Sequence, residues 1–316
     1  MSPINRRDFL KLSTTAGLTA ATLPLCALAA PEWAGPFKRT GPPRLLLSLA
    51  AYSFRRNFPT MQGKANDVPE GKGTDMFKFI DYCAAQGCDG TELTTYFFAE
   101  DSDAYMIELR RHAYLRGIAV SGTAIGNNFS LPKGPALDQQ IADTKKWIDR
   151  ALMLGAPHIR VFTGKVPKEA PRDFDRAKAD RNAIGALENC AEYAGRKGIF
   201  LGLENHDSIG SAARLLSLVK AVNSPWLGIN LDSGNFTTAD PYQDFAACVP
   251  YTLNVQFKTD IHTRGGPDKP ADFKRFTQIL RDGGYQGWVA LEYEGTEDSA
   301  FAVPRLLGQM KELFAS

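Results

Sequence analysis

A single (β/α)₈ barrel is the fold class this sequence predicts for residues 44–316, and three observations carry it. Short apolar runs alternate eight times with longer stretches of helical period. The apolar runs are continuous rather than alternating, as buried strands are in a parallel sheet covered by helices. The length, 316 residues, suits one barrel of about 250 residues behind an N-terminal extension. A doubly wound open sheet is the competitor, but it calls for a glycine-rich phosphate turn after its first strand. Ala51-Tyr52-Ser53-Phe54 offers none.

The elements follow in order. Leu45–Phe54 is apolar behind prolines, hence a first strand. In 74–86, Met76, Phe77, Phe79, Ile80 and Cys83 recur at helical spacing, and Gly87 stops the helix. Residues 89–97 read as the second strand. Residues 101–116 carry Tyr105, Met106, Leu109 and Tyr114 on a helix closed by Gly117. Strand 118–125 and helix 137–154, ending at Gly155, make the third unit. Strand 158–162 and helix 176–197, stopped by Gly198, make the fourth. Strand 199–204 with helix 211–222, strand 227–231 with helix 242–248, and strand 253–257 with helix 269–281 continue the pattern. Gly283-Gly284 closes that last helix, and strand 288–292 with helix 299–314 completes eight units.

The first 30 residues differ. Arg6-Arg7 precedes Phe9-Leu10-Lys11 and a Ser/Thr/Gly/Ala-rich stretch that ends in Ala27-Leu28-Ala29-Ala30, a small-residue cleavage pattern. The segment resembles a twin-arginine export signal, so 1–30 is expected to be a signal peptide and the protein periplasmic or otherwise exported. Residues 31–43, rich in Pro and Gly, read as a leader. Of 37 basic and 35 acidic side chains, three and one fall in 1–30, leaving 34 of each. A neutral mature chain lacks the basic surface that a nucleic-acid partner requires. No twenty-residue apolar stretch follows the leader, so no membrane span is expected there. Cys83, Cys88, Cys190 and Cys248 form no CxxC pair and read as buried small hydrophobes.

In such barrels the active site lies at the carboxyl ends of the strands. Four consecutive strands there end in oxygen donors: Glu204, Asp232, Gln256 and Glu292. Three carboxylates converging on one mouth repel each other and are costly to desolvate. One divalent cation resolves this, and three carboxylates plus an amide oxygen suit manganese or magnesium. Arg160, inside the apolar run 159–162, is expected to point into the mouth and hold a carboxylate or sugar hydroxyl. Lys258 follows Gln256 by two and so shares its face, for substrate contact or acid/base work. Glu92 ends strand two, where substrate binding and structural pairing are both open. His112 and His158 read as surface or packing residues, and Tyr52, Asn127 and Asn128 as rim contacts.

With these strand-end residues, the chain resembles the xylose isomerase-like barrels, the sugar phosphate isomerase/epimerase superfamily. That resemblance implies a metal held by Glu204, Asp232, Gln256 and Glu292, with Gln256 where histidine is commonest. It also implies a substrate-contacting role for His206. The implied reaction is proton abstraction next to a carbonyl of a small sugar-like substrate, through a metal-stabilised enediolate, with Glu204 and Glu292 as the two bases. The expected outcome is isomerisation or epimerisation of a keto-sugar or related polyhydroxy carbonyl compound. A lyase, 3-keto-glycoside eliminase or 3-dehydroshikimate dehydratase-like, is the alternative. A non-catalytic sugar-binding barrel is a further rival that would exchange no substrate protons. A DNA-repair endonuclease of the superfamily conflicts with four histidines and neutral charge. Export and the lack of a phosphate motif point away from phosphosugars, toward an oxidised sugar or keto-glycoside.

Overall fold

Eight strands pair edge to edge, every pair parallel, and the last closes on the first. They are β1 (Arg44–Ala50), β2 (Gly90–Thr94), β3 (Ala119–Ala124), β4 (His158–Val161), β5 (Phe200–Glu204), β6 (Leu227–Asp232), β7 (Thr252–Phe257) and β8 (Gln286–Leu291). Closure runs from Arg44 opposite Gln286 to Leu49 opposite Leu291. This computed structural model describes residues 35–315, Pro69 excepted. The expected export signal therefore lies outside the described residues. Helices separate the strands: α1 (Met76–Ala85), α2 (Asp103–Leu115), α3 (Pro135–Leu154), α4 (Arg176–Lys197), α5 (Ala212–Val222), α6 (Pro241–Cys248), α7 (Phe273–Asp282) and α8 (Ser299–Ala315). The fold is a single (β/α)₈ barrel. Among the described residues, no helix is long and apolar enough to cross a membrane.

Local chemistry sets the helix ends. The side chains of Asp75, Ser102, Asp175, Ser211, Asp240 and Asp272 each accept a backbone N–H in the first turn. Such a cap contributes about 1 kcal/mol. At the other end, Gly155 and Gly198 take φ of 78° and 72°, the left-handed conformation that ends a helix without a Cβ clash.

Three expected boundaries move, for physical reasons. The first strand stops at Ala50, and 51–54 coil into a 3₁₀ turn because Ser53 Oγ donates to Leu291 O and accepts from Tyr293 N. Residues 95–97 likewise form a 3₁₀ turn rather than extending β2. The seventh helix begins at Phe273 instead of Lys269. Asp272 caps it, and Lys269–Pro270 pairs with Asp260–Ile261 in a two-stranded ribbon over the barrel mouth. A second ribbon, Thr60–Met61 with Lys64–Ala65, stands after β1.

Strand parity divides the core. Leu201 and Leu203, Ile229 and Leu231, and Val255 and Phe257 are fully buried apolar residues of the outward set. The alternate positions, Gly202 and Glu204, Asn230 and Asp232, and Asn254 and Gln256, face the axis and are mostly polar. Asn254 Nδ2 bonds Asn230 Oδ1 at 2.8 Å and reaches across the barrel to Glu92 Oε2 at 2.9 Å. Deeper still, a bulge between β2 and β3 places Ser121 Oγ 2.7 Å from Ser48 Oγ. The His158 ring packs on Gly122, where an added Cβ would stand 2.1 Å from Cε1.

The leader's described part lies against the amino ends of the strands. Phe37 N donates to Pro250 O at 2.9 Å, its ring meets Phe200 edge to face, and Arg39 donates to the Thr252 carbonyl. Cys83, Cys88, Cys190 and Cys248 are buried free thiols.

Candidate active site

A cavity of about 700 Å³ opens at the carboxyl ends of the strands, bounded by Tyr52, Tyr96, Arg160, Phe162, Glu204, His206, Asn235, Lys258, Glu292 and Glu294. The site is built on parity: Glu204 ends β5, Asp232 ends β6 opposite Gln256 of β7, and Glu292 directly follows β8. All four are buried; Glu204 and Glu292 line the cavity, while the side chains of Asp232 and Gln256 lie outside its lining.

Their partners are now visible. Arg160 Nε stands 2.9 Å from Glu204 Oε2, a charge contact without an aligned hydrogen bond. Its Nη1 donates to Ile125 O at 2.7 Å and to Tyr96 Oη at 3.3 Å. Asn235 Nδ2 donates to the other Glu204 oxygen at 3.0 Å. Lys258 Nζ lies 3.2 Å from Asp232 Oδ2 and 3.7 Å from Glu292 Oε2, and it donates to Glu294. Asp232 is anchored from below: Oδ1 accepts from Gly234 N at 2.8 Å, and Asn205 bonds its backbone on both sides. Asp232 Oδ2 is buried and accepts no aligned hydrogen bond.

Burial drives the electrostatics. It raises Glu204 to about 8, against the pull of Arg160 and with help from Glu292. It raises Asp232 and Glu292 as well, against Lys258. For Lys258 burial works against the charge, but Asp232, Glu292 and Glu294 outweigh it and hold the ammonium well above the usual lysine range. Burial lowers His206, opposed by Asp207.

The residues present fit a divalent cation by charge and chemistry. Four buried carboxyl groups, Glu92, Glu204, Asp232 and Glu292, outnumber the two cations beside them, Arg160 and Lys258. Asp232 Oδ2 is a buried acceptor without an aligned hydrogen bond, balanced only by the Lys258 ammonium at 3.2 Å. Among the described residues, no three acids, histidines or cysteines are closed up as a ligand cluster; the carboxylates face Arg160 and Lys258 instead.

Other predicted residues fall differently. Glu92 lies beneath the floor, outside the cavity lining, and accepts from Gln256 Nε2 at 2.7 Å and from Asn254. Of its two open readings, the pairing is what the structure displays. Gln256 also accepts from Asn230 Nδ2 at 2.6 Å, so its amide is fixed at both ends. His206 is half-buried at the mouth with its ring 4.5 Å from that of Phe162. Asn127 bonds both N and O of Phe162, and Asn128 bonds Lys165 O and Gln140, so these amides clamp loops together. His112 pairs with Asp81 on the surface, and His158 is buried packing.

Sequence reasoning passed over Asn235, Tyr96, Glu294 and Gln62. Asn235 follows Asp232 by three, and that spacing to a strand-end acid was an available signal. Gln62 and Tyr96 sit on connecting segments and carried none.

The comparisons agree with this fold. A putative hydroxypyruvate isomerase of Xenopus laevis is 28% identical over 163 residues, 46% of this chain and 57% of that relative, so the chain spans little more than half its length. The 3-keto-D-glucoside 4-epimerase YcjR of E. coli superposes with a TM-score of 0.62 at 16% identity, over 85% of this chain and 100% of that one. A xylose isomerase-like protein from Mycobacterium smegmatis in complex with magnesium gives 0.62 at 19% identity, over 87% and 97%. The model for the xylose isomerase-like TIM barrel matches residues 80–313, which include every strand-end donor described above, and the chain belongs to that family.

Proposed function

We propose that the protein is a metal-dependent sugar isomerase or epimerase that removes a proton from carbon next to a carbonyl. The observation that carries this is the gathering of Glu204, Asp232 and Glu292, three buried carboxyl groups, at the carboxyl ends of neighbouring strands with only Arg160 and Lys258 beside them. Burying several acids against so few cations is costly unless a further positive charge joins them. Glu204, Asp232 and Glu292 would hold the ion, with the Gln256 amide oxygen as fourth donor. That oxygen also accepts from Asn230 Nδ2 at 2.6 Å, so it would share its second lone pair with the ion. An all-oxygen set suits manganese or magnesium. When bound, the cation supplies electrophilic stabilisation to the substrate oxygen that gains charge as the C–H bond breaks.

The chain's own residues do the proton work. Glu204 and Glu292 flank Asp232 and Gln256 in strand order, so a ring lying over the centre meets one carboxylate on each side. Arg160 and Asn235 hold one oxygen each of Glu204 and set its direction. Lys258 balances Glu292 and Asp232 and stands in reach to hand a proton to a substrate oxygen. His206, at the mouth, contacts the substrate hydroxyls. The relatives' names support isomerisation or epimerisation, and the magnesium-bound relative supports the metal. Export by the twin-arginine route belongs to the same proposal and rests on Arg6-Arg7 and the alanine-rich stretch after them.

The test is turnover of a panel of keto-sugars in deuterated water by metal-loaded protein. Deuterium retained at the reacting carbon is expected. An unsaturated product would move the assignment to a lyase. Neither exchange nor elimination across the panel would leave a binding barrel.

A further inference from the structure

Beside the main cavity a second cleft of about 760 Å³ opens over β2–β4. The two share Gln62, Tyr96 and Phe162, so they adjoin at one boundary. The far wall carries Phe98 and Trp147, half-buried and meeting edge to face at 6.0 Å, with Gln140 of α3 beside them. Gln140 Oε1 accepts from Asn128 N at 2.7 Å, and among the described residues nothing accepts from its NH₂ group. No lysine or arginine lines the cleft, and its rim acids are Glu100 and Asp101, the second paired with Lys146.

Gln62 marks the boundary in an unusual way. It sits at the tip of a hairpin with φ of 53°, followed by Gly63 at 74°, and its backbone N–H is pinned to Tyr96 O at 2.8 Å. A non-glycine residue there costs roughly 1–2 kcal/mol that glycine would not. What glutamine adds is an amide over the join between the cavities, and among the described residues that amide has no hydrogen-bond partner.

The lining selects its occupant by chemistry. An anion would meet Glu100 and, at Asp101, a lysine already paired, with no lysine or arginine among the described lining residues. A neutral ring bearing hydroxyls would meet aromatic walls for its C–H faces and free amide groups for its hydroxyls. We propose that the substrate is a two-ring glycoside, with the reacting ring above Glu204 and Glu292 and a second, uncharged sugar ring in the cleft between Phe98, Trp147 and Gln140. Tyr96 and Gln62 then flank the glycosidic linkage. This rests on reading the main cavity as a sugar site.

Calorimetry and tryptophan fluorescence on the folded full chain test it, with D-glucose and D-fructose as one-ring probes and cellobiose, maltose and sucrose as two-ring probes. At least one two-ring probe should bind about tenfold more tightly than either single ring. That ratio should collapse in Trp147→Ala. It should also fall in Gln62→Gly, a change the backbone accepts, so misfolding cannot account for the loss. Equal affinities for one and two rings, or an unchanged ratio in both variants, would overturn the cleft while leaving the main site standing. Failure of every sugar to bind would overturn both.

Discussion

Arg160 Nε lies 2.9 Å from Glu204 Oε2, with side-chain exposures of only 5% and 4%. Removing one partner of such a pair strands the other. Arg160→Met should lower unfolding stability by about 3 kcal/mol. The measurement is urea denaturation in chelator at pH 9, above the value of about 8 for Glu204, where that carboxylate is ionised. Adding Glu204→Gln should recover much of the loss. Simple additivity of the two changes would show that the pair is not coupled.

The metal is checked by elemental analysis. About one manganese or magnesium ion per chain is expected, lost in the Glu204→Gln, Asp232→Asn double variant. Full turnover in excess chelator would exclude the assignment. In loaded protein, Glu292→Gln should cost ~10²–10⁴-fold in kcat, the usual range for a lost general base.

His158 gives the fold an acid limb. Burial lowers it to about 4, while in the unfolded chain it titrates near the ordinary histidine value of 6.5. Between those values the unfolded state binds more protons, so stability falls as pH drops from 6.5 toward 4 and is unaffected by this group above 6.5. The loss is on the order of 3 kcal/mol. Denaturant midpoints from pH 4 to 7 for the wild type and His158→Phe should diverge, with the variant flatter.

Gly122 tests the same packing from the other side. A methyl there would stand 2.1 Å from the His158 ring. Gly122→Ala should cost about 1–3 kcal/mol by overpacking, and His158→Ala in the same chain should relieve part of it. A Tm unchanged by Gly122→Ala would contradict the close approach.

Export is checked by replacing Arg6 and Arg7 with lysine and fractionating cells. Precursor should accumulate in the cytoplasm, and normal export of that variant would sink the assignment.

Much of the architecture was legible because each layer left a separate mark. The spacing of two between Gln256 and Lys258 put them on one face, whereas the polar inner positions Asn230 and Asn254 depart from the continuous apolar runs expected of a parallel sheet, because the barrel's axis here is filled by an amide network. Glycines such as Gly155 and Gly198 marked helix ends through a backbone conformation that other residues resist. Contacts across the barrel were not legible. Glu92 meets Asn254 over 162 residues of separation, a pairing set by barrel closure and shear rather than by any local pattern. Lys258 could be placed on the Gln256 face, but its choice of Asp232, Glu292 and Glu294 depends on strand order. The Gln62 hairpin left no trace, since glutamine is not a residue that announces a left-handed turn.

Phe37 and Arg39 stitch the segment before β1 across the closed end of the barrel, opposite the cavity. Attachment through residues ahead of that stitch would therefore begin on the face away from the mouth. A partner joined directly ahead of Phe37 would meet the amino ends of the strands first and leave the cavity's rim uncovered at the point of attachment.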